Sequence, residues 1–234
     1  MKQILKIIAI LLFTQVYAQN NEVIFTASIK ETNHSKELKN NSTEEKDLIL
    51  NSVNNSTDIE YKLLFNTNSS LFQRENQMKT ENNGFNITEL LAGKGKYFFD
   101  LKTNVTIEQK DAFGEVFLIE KKAIKWNLTN ETKKIGNYLC KKATTTISIE
   151  NSRGISIKDV IAWYAIEIPL NFGPKNYNGL PGLILKLKEG KLVFTAKKII
   201  LNSKEKTTIN KPKKGKKITE KEFNNIAKEL MRNR

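Results

Sequence analysis

The chain has 234 residues, a formal net charge of +14 and a mean hydropathy of −0.46. With 39% hydrophobic residues, two Trp and twelve Phe it has the material of a packed core, which excludes a disordered chain. The charge does not point to nucleic acid: Lys outnumbers Arg 35 to 4, and residues 204–234 alone, with eleven Lys or Arg against four Glu, hold half of the excess.

Residues 1–18 have the pattern of a secretory signal peptide. Lys2 and Lys6 form a positive leader, Ile7–Phe13 an apolar core, and Val16-Tyr17-Ala18 a small-x-small cleavage site. The exported chain is expected to start at Gln19 and to be periplasmic, with release from the cell as the alternative. Downstream, no run approaches the ~18 consecutive apolar residues of a membrane span. Glu22–Lys30 alternates Val23, Phe25, Ala27 and Ile29 against polar neighbours and predicts a first strand. Residues 31–56 are polar and predict a loop, with a short helix at Thr43–Asn51.

A meander follows. Strands are predicted at Asp58–Asn66, Leu71–Lys79, Gly95–Asn104, Val105–Asp111 and Glu115–Lys122, the last two joined tightly through Ala112-Phe113-Gly114. Leu139–Glu150 and Ile155–Ile166 form a further pair across a turn at Asn151–Gly154. Leu185–Leu187 and Leu192–Leu201 flank a hairpin with Gly190 in its loop. Asn202–Lys217 is a basic linker. It ends in a capping box, Thr219 with Glu222, that starts a helix over Glu220–Met231 with Phe223, Ile226, Ala227 and Leu230 on one face. The expected organisation is a signal peptide (1–18), a β domain (19–201) and a basic linker with an amphipathic helix (202–234). The fold is mainly β: a single antiparallel, strongly curved sheet or half-barrel with the C-terminal helix packed on it.

Chemistry-bearing motifs are sparse. Cys140 is the only cysteine, which rules out an intramolecular disulfide, and His34 the only histidine, so a zinc site of the usual N/S ligands cannot be assembled. Cys140 is expected to be a small buried hydrophobe. Near the segment described next, only Glu167 and Asp159 offer carboxylates. No catalytic, metal or cofactor site is assigned.

The chain concentrates its rigid and bulky residues between Ala162 and Leu185, which hold three of the four prolines and three of the eleven glycines. Pro181 and Gly182 suit the second and third positions of a type II turn over Leu180–Leu183. The hexapeptide Gly179-Leu180-Pro181-Gly182-Leu183-Ile184, preceded by Tyr138–Ala143, Ala162-Trp163-Tyr164, Ile168-Pro169 and Gly173-Pro174, resembles the GLPGLI family of secreted Bacteroidetes proteins. The motifs lie in the family's order over about fifty residues, 138–187.

That resemblance implies an envelope location and, since members are often encoded beside TonB-dependent outer-membrane receptors, a receptor or other envelope protein as partner. Two readings of the loop stay open: a packing device that sets how two strands meet, and a rigid recognition surface formed by Trp163, Tyr164, Phe172, Gly173, Pro174, Gly179, Leu180, Pro181 and Gly182. The leading expectation is a non-catalytic binding or accessory protein of the envelope. The alternatives are a carrier of an apolar ligand in the concave face of the sheet, and an enzyme of unrecognised type that clustered buried carboxylates would reveal. The basic tail suggests peripheral contact with anionic envelope surface.

Overall fold

The computed structural model describes residues 20–29, 56–75, 86–151, 154–203 and 208–232. The expected signal peptide, the helix at Thr43–Asn51 and the end of the strand expected to reach Lys79 lie outside the described residues. So does the middle of the turn expected at Asn151–Gly154.

Twelve strands form one sheet: β1 (Asn20–Ile29), β2 (Ile59–Phe65), β3 (Ser69–Arg74), β4 (Lys96–Asp100), β5 (Val105–Ala112), β6 (Glu115–Lys121), β7 (Asn127–Ile135), β8 (Tyr138–Asn151), β9 (Gly154–Ala165), β10 (Leu183–Glu189), β11 (Leu192–Ser203) and β12 (Lys216–Thr219). Their order across the sheet is β12-β6-β5-β4-β3-β2-β1-β11-β10-β9-β8-β7, and β12 and β7 are its two unjoined edges. The fold class is therefore the mainly β, open sheet with a C-terminal helix that the pattern of short strands predicts. Every pairing is antiparallel except that of β12, which runs parallel to β6.

Local chemistry explains most of the strand ends. β1 buries Val23, Phe25 and Ala27 completely on one face, as its period of two requires. Two-residue turns join β5 to β6 through Phe113 and Gly114 (φ 54° and 80°) and β10 to β11 at Gly190 (φ 58°). Phe113 tolerates a left-handed conformation while its ring packs 5.9 Å from that of Phe223. The strand expected over Gly95–Asn104 instead stops at Asp100. The Asp100 carboxylate accepts from the backbone N–H groups of Lys102 and Thr103 at 2.9 and 3.2 Å and pulls residues 101–104 into a turn. A short helix that periodicity does not reveal, α1 (Ile87–Ala92), is capped by Asn86, whose Oδ1 accepts from the Glu89 N–H.

The C-terminal segment is more than a linker and a helix. β11 extends to Ser203, and Lys216–Thr219, expected as the end of the linker and the cap, add β12 to the edge of β6. The capping box forms as predicted: Glu222 Oε2 accepts from the Thr219 N–H at 2.6 Å, and Thr219 Oγ1 from the Glu222 N–H at 3.2 Å. It starts α2 (Glu220–Arg232), which seats Phe223 edge-on against Phe117, with Ile218 and Ile226 beside them. That small cluster is separate from the main core, and Leu230, at 42% exposure, runs past it.

The main core lies on the concave side of the sheet. Phe25, Tyr61, Phe72 and Phe194 form its aromatic centre, with the Tyr61 and Phe72 rings stacked at 5.1 Å. The sheet curls around the segment that follows β9. Phe172 in that segment touches Phe65 of β2 and Phe99 of β4, at ring distances of 5.7 and 6.0 Å. In sheet order β4 lies six strands from β9, roughly 29 Å across a flat sheet at about 4.8 Å per strand. Curvature brings both within reach of one loop.

Candidate functional site

The loop 166–182 is held down by its own backbone. Ile168 N–H donates to Ala165 O, Leu183 N–H to Ile168 O at 3.0 Å, Ile184 N–H to Phe172 O at 3.0 Å, and Gly179 N–H to Asn171 O at 3.0 Å. Asn178, buried, ties it to both halves of the sheet. Its Oδ1 accepts from the Gly173 N–H, its amide donates to Thr106 Oγ1 of β5, and its carbonyl accepts the Trp126 indole N–H at 2.9 Å. These bonds, with the buried Asn178 at their centre, hold the loop against the sheet.

The turn in the hexapeptide differs from expectation. Leu180–Leu183 is not a type II turn, because the positive φ falls on Gly179 (89°) and not on Gly182. Gly182 N–H donates to Leu180 O at 2.8 Å, a three-residue turn centred on Pro181. Gly182 is required for space: a Cβ there would lie 2.3 Å from the Ala165 carbonyl oxygen. Gly173 is similarly confined, its Cβ position lying 2.4 Å from Tyr177 O.

The nine residues singled out in sequence do not share one exposed face. Tyr164, Phe172, Gly173, Pro174, Leu180 and Gly182 are buried and Trp163 is half-buried with Lys133 over its ring, while Gly179 and Pro181 are exposed. Phe172, Tyr177 and Leu180 fill the sheet's concavity with the protein's own side chains. Cys140 is buried in β8 against Ala165, and burial, with Glu167 nearby, pushes its thiol up to about 11.

Beside the loop lies an open cleft of about 1000 Å³ whose walls come from β5, β6, β8, the loop and α2. Two Tyr–Glu–Lys sets meet in it. In the first, Tyr97 donates its hydroxyl to Glu108 Oε1 at 2.9 Å, and Lys121 Nζ stands 3.0 Å from Glu108 Oε2 and 2.8 Å from Glu220 of α2. In the second, Lys175 Nζ lies 2.8 Å from Glu189 Oε2, and Tyr177 bonds the same carboxylate. Glu108 and Glu189 are 4% and 8% exposed, so these are paired charges at the floor of the cleft.

The pairing sets the protonation states. Burial pushes the Glu108 carboxyl up, but the Lys121 and Lys110 ammonium groups and the bonds from Lys121 and Tyr97 outweigh it and hold it below the ordinary value. Burial lowers Lys121, and Glu108 and Glu220 more than reverse this. Burial, reinforced by Glu108 and Glu189 respectively, raises the Tyr97 and Tyr177 phenols far above their ordinary value, so both stay neutral donors. An ionised, lysine-capped carboxylate cannot serve as a general acid at neutral pH, which needs a carboxyl raised toward 7. Among the described residues no group of three or more His, Cys, Asp or Glu side chains could hold a metal ion.

Sequence reasoning around the loop considered Glu167 and Asp159 and missed this cluster. Glu167 lies exposed, its carboxylate 3.4 Å from the Leu139 N–H, and Asp159 is exposed on β9. A signal was available for one member: Glu189 continues the buried parity of Leu183, Leu185 and Leu187 along β10. Glu108 gave none, because Val105 and Ile107 suggest the opposite face of β5 as the buried one.

The model of a family described as "Protein of unknown function (Porph_ging)" matches residues 126–159 and 150–186, which hold β7 to β9, the loop and the start of β10. No curated protein matches the chain. Among solved structures, two crystal forms of PNGF-II are similar. One has a TM-score of 0.56 at 17% identity, covering 89% of this chain and 33% of that one. The other has a TM-score of 0.53 at 16% identity, covering 89% and 32%. The chain thus spans about a third of the length of PNGF-II, and at these identities the likeness is one of fold. The hexapeptide loop falls inside the segment matched by a family of uncharacterised function.

Proposed function

We propose that this chain is an exported, non-catalytic binding or accessory protein of the cell envelope whose partner seats in the cleft beside the loop 166–182. The observation that carries this reading is the paired polar floor: Tyr97–Glu108–Lys121 and Tyr177–Glu189–Lys175 at the base of an open cleft of about 1000 Å³. The floor is ion-paired and hydrogen-bonded, which suits recognition with little reorganisation. Lys175, Asn176 and Tyr177 of the loop form one wall of the site, and Gly179 and Pro181 are exposed elsewhere on the loop. A carrier of apolar ligands would need the concavity that Phe172, Tyr177 and Leu180 occupy.

The leader-like residues 1–18 and the GLPGLI resemblance support an envelope setting, with a TonB-dependent outer-membrane receptor as the partner of choice. Photo-crosslinking tests this in cells that export the full chain. A crosslinker at Asn225, on the cleft wall, is expected to trap one discrete envelope protein, and one at Lys198, exposed on β11, is not. A crosslinker at Pro181 asks whether the exposed turn of the hexapeptide takes part. Equal yields at Asn225 and Lys198, or none at Asn225, would overturn the reading.

A further inference from the structure

The basic C-terminal segment carries a strip of charge that the fold fixes in place. Five of the eleven basic residues of 204–234 fall within seven positions, Lys211, Lys213, Lys214, Lys216 and Lys217, and all five are exposed. Their backbone is fastened to the edge of the sheet. β12 pairs with β6, Lys214 O accepts from Gln109 Nε2 at 2.7 Å, and Gly215 passes so close that a Cβ there would lie 2.9 Å from Val116 O. Seven residues reach at most about 25 Å, roughly three Debye lengths at physiological salt, so neighbouring ammonium groups act together.

Two carboxylates oppose the strip. Glu120 and Glu222 share a groove of about 360 Å³ with Lys211 and Lys217, and Glu222 also acts electrostatically on Lys216. Counted in full against the five lysines, these two glutamates leave three positive charges. Lys213 and Lys214 lie outside that groove, and among the described residues neither is in a salt bridge. The register places Lys216 beside Phe117 and Lys217 beside Leu118, on opposite faces of the sheet, so the charges fan outward instead of converging on one pocket. Compact ammonium charges in a fan match a plane of laterally mobile anionic headgroups better than one fixed phosphate or carboxylate. The rest of the groove supports the same choice. Ile107, Leu118, Pro212 and Ile218 line it, an apolar footing that methylenes below a headgroup can cover and that would leave the polar backbone of an acidic peptide unbonded. Phe223 and Ile226 of α2 are already packed with Phe117, so the helix's apolar face is not available for insertion.

We infer that the β12 edge is an electrostatic docking surface for a bilayer containing anionic phospholipid, formed by Lys211, Lys213, Lys214, Lys216 and Lys217. The contact is peripheral and stays at headgroup level. It is separate from the cleft, and neither site depends on the other.

The test is flotation of the protein, purified from cells that export it, with phosphatidylcholine vesicles carrying about 30% phosphatidylglycerol and with vesicles of phosphatidylcholine alone. Binding to the anionic vesicles is expected to be at least about tenfold tighter, and to fall about tenfold between about 50 and about 300 mM salt. A lysine near an anionic surface is worth about fivefold in partitioning, so Lys213→Gln with Lys214→Gln should cost about tenfold or more. Lys197→Gln with Lys198→Gln, exposed on β11, should leave binding unchanged. Absent binding to the anionic vesicles, equal binding to the neutral ones, or an equal loss in the β11 variant would overturn the inference. Leu230→Ser, at the exposed part of α2, tests insertion: a loss as large as that of the lysine pair would make the helix the contact and sink the edge. Displacement of the protein from the vesicles by polyaspartate at a lower charge concentration than the lipid's would make the partner an acidic protein instead.

Discussion

Substituting Gly182 by alanine tests whether the hexapeptide is a packing device. The added Cβ would sit 2.3 Å from the Ala165 oxygen, 2.8 Å from its carbonyl carbon and 3.1 Å from the Ile166 nitrogen. All three are backbone atoms, at the junction where β9 enters the loop, so no side chain can rotate away. Overpacking of this kind costs about 1–3 kcal/mol, and the immobile neighbours place Gly182→Ala at the upper end, about 3 kcal/mol. For a chain of this size that corresponds to a fall in Tm of roughly 6–12 °C. Two neighbours provide the scale. Gly179 has φ +89° and open space at its Cβ position, so Gly179→Ala carries only backbone strain of about 1 kcal/mol. Pro181 is exposed, and Pro181→Ala should cost under about 1 kcal/mol. Urea midpoints for the three variants should therefore fall in the order Gly182, Gly179, Pro181. Were Gly182→Ala within about 0.5 kcal/mol of the parent, or milder than Gly179→Ala, the close approach to Ala165 would not be what the motif is for.

Phe172→Ala removes a fully buried ring that meets β2 and β4, and should destabilise by about 3–5 kcal/mol in the same assay. Lys121→Met leaves Glu108 buried without its main counter-charge and frees Glu220; a loss of about 3 kcal/mol is expected, measured by urea unfolding at pH 7. Because Glu108 is held below its unfolded value, its contribution is present above about pH 4.3 and is lost as pH falls through the lower, folded value; Glu108→Gln should therefore flatten the drop in stability on going from pH 7 to pH 3. Lys121 is displaced in the other direction, so its contribution persists through neutral pH and is lost only as pH rises through its folded value, above about 10.4. The Cys140 thiol, buried and pushed up to about 11, should react with a disulfide reagent at pH 8 only at the rate of unfolding, and at the rate of a free thiol in denaturant.

The position of the organising loop was legible in sequence because Pro and Gly act locally: they restrict or free φ wherever they stand. What each glycine does was not. Gly182 was assigned a positive φ and is needed instead for its missing Cβ against Ala165, a residue seventeen positions earlier, while the positive φ belongs to Gly179. The nine loop residues were likewise identified as a group, but whether Phe172 points to solvent or into the concavity depends on the curl of β2 and β4 beneath it. The cleft was illegible for the same reason. Tyr97, Glu108, Lys121, Tyr177 and Glu189 span more than ninety positions and share no spacing that a motif could encode.

By itself the sequence determined the alternation that makes strands, the short turns at Phe113-Gly114 and Gly190, the capping box at Thr219 and Glu222, and the scarcity of metal-ligating and nucleophilic residues. These rest on interactions spanning a few residues. The tertiary structure alone decided that β1 pairs with β11, joining Asn20 to Ser203, that Lys216–Thr219 closes the β6 edge in parallel, and that Glu108 lies inward beside Tyr97 and Lys121. Pairing partners and the inward face of a half-polar strand are set by which surfaces the whole sheet can bury together, and that balance exists only once distant strands have met.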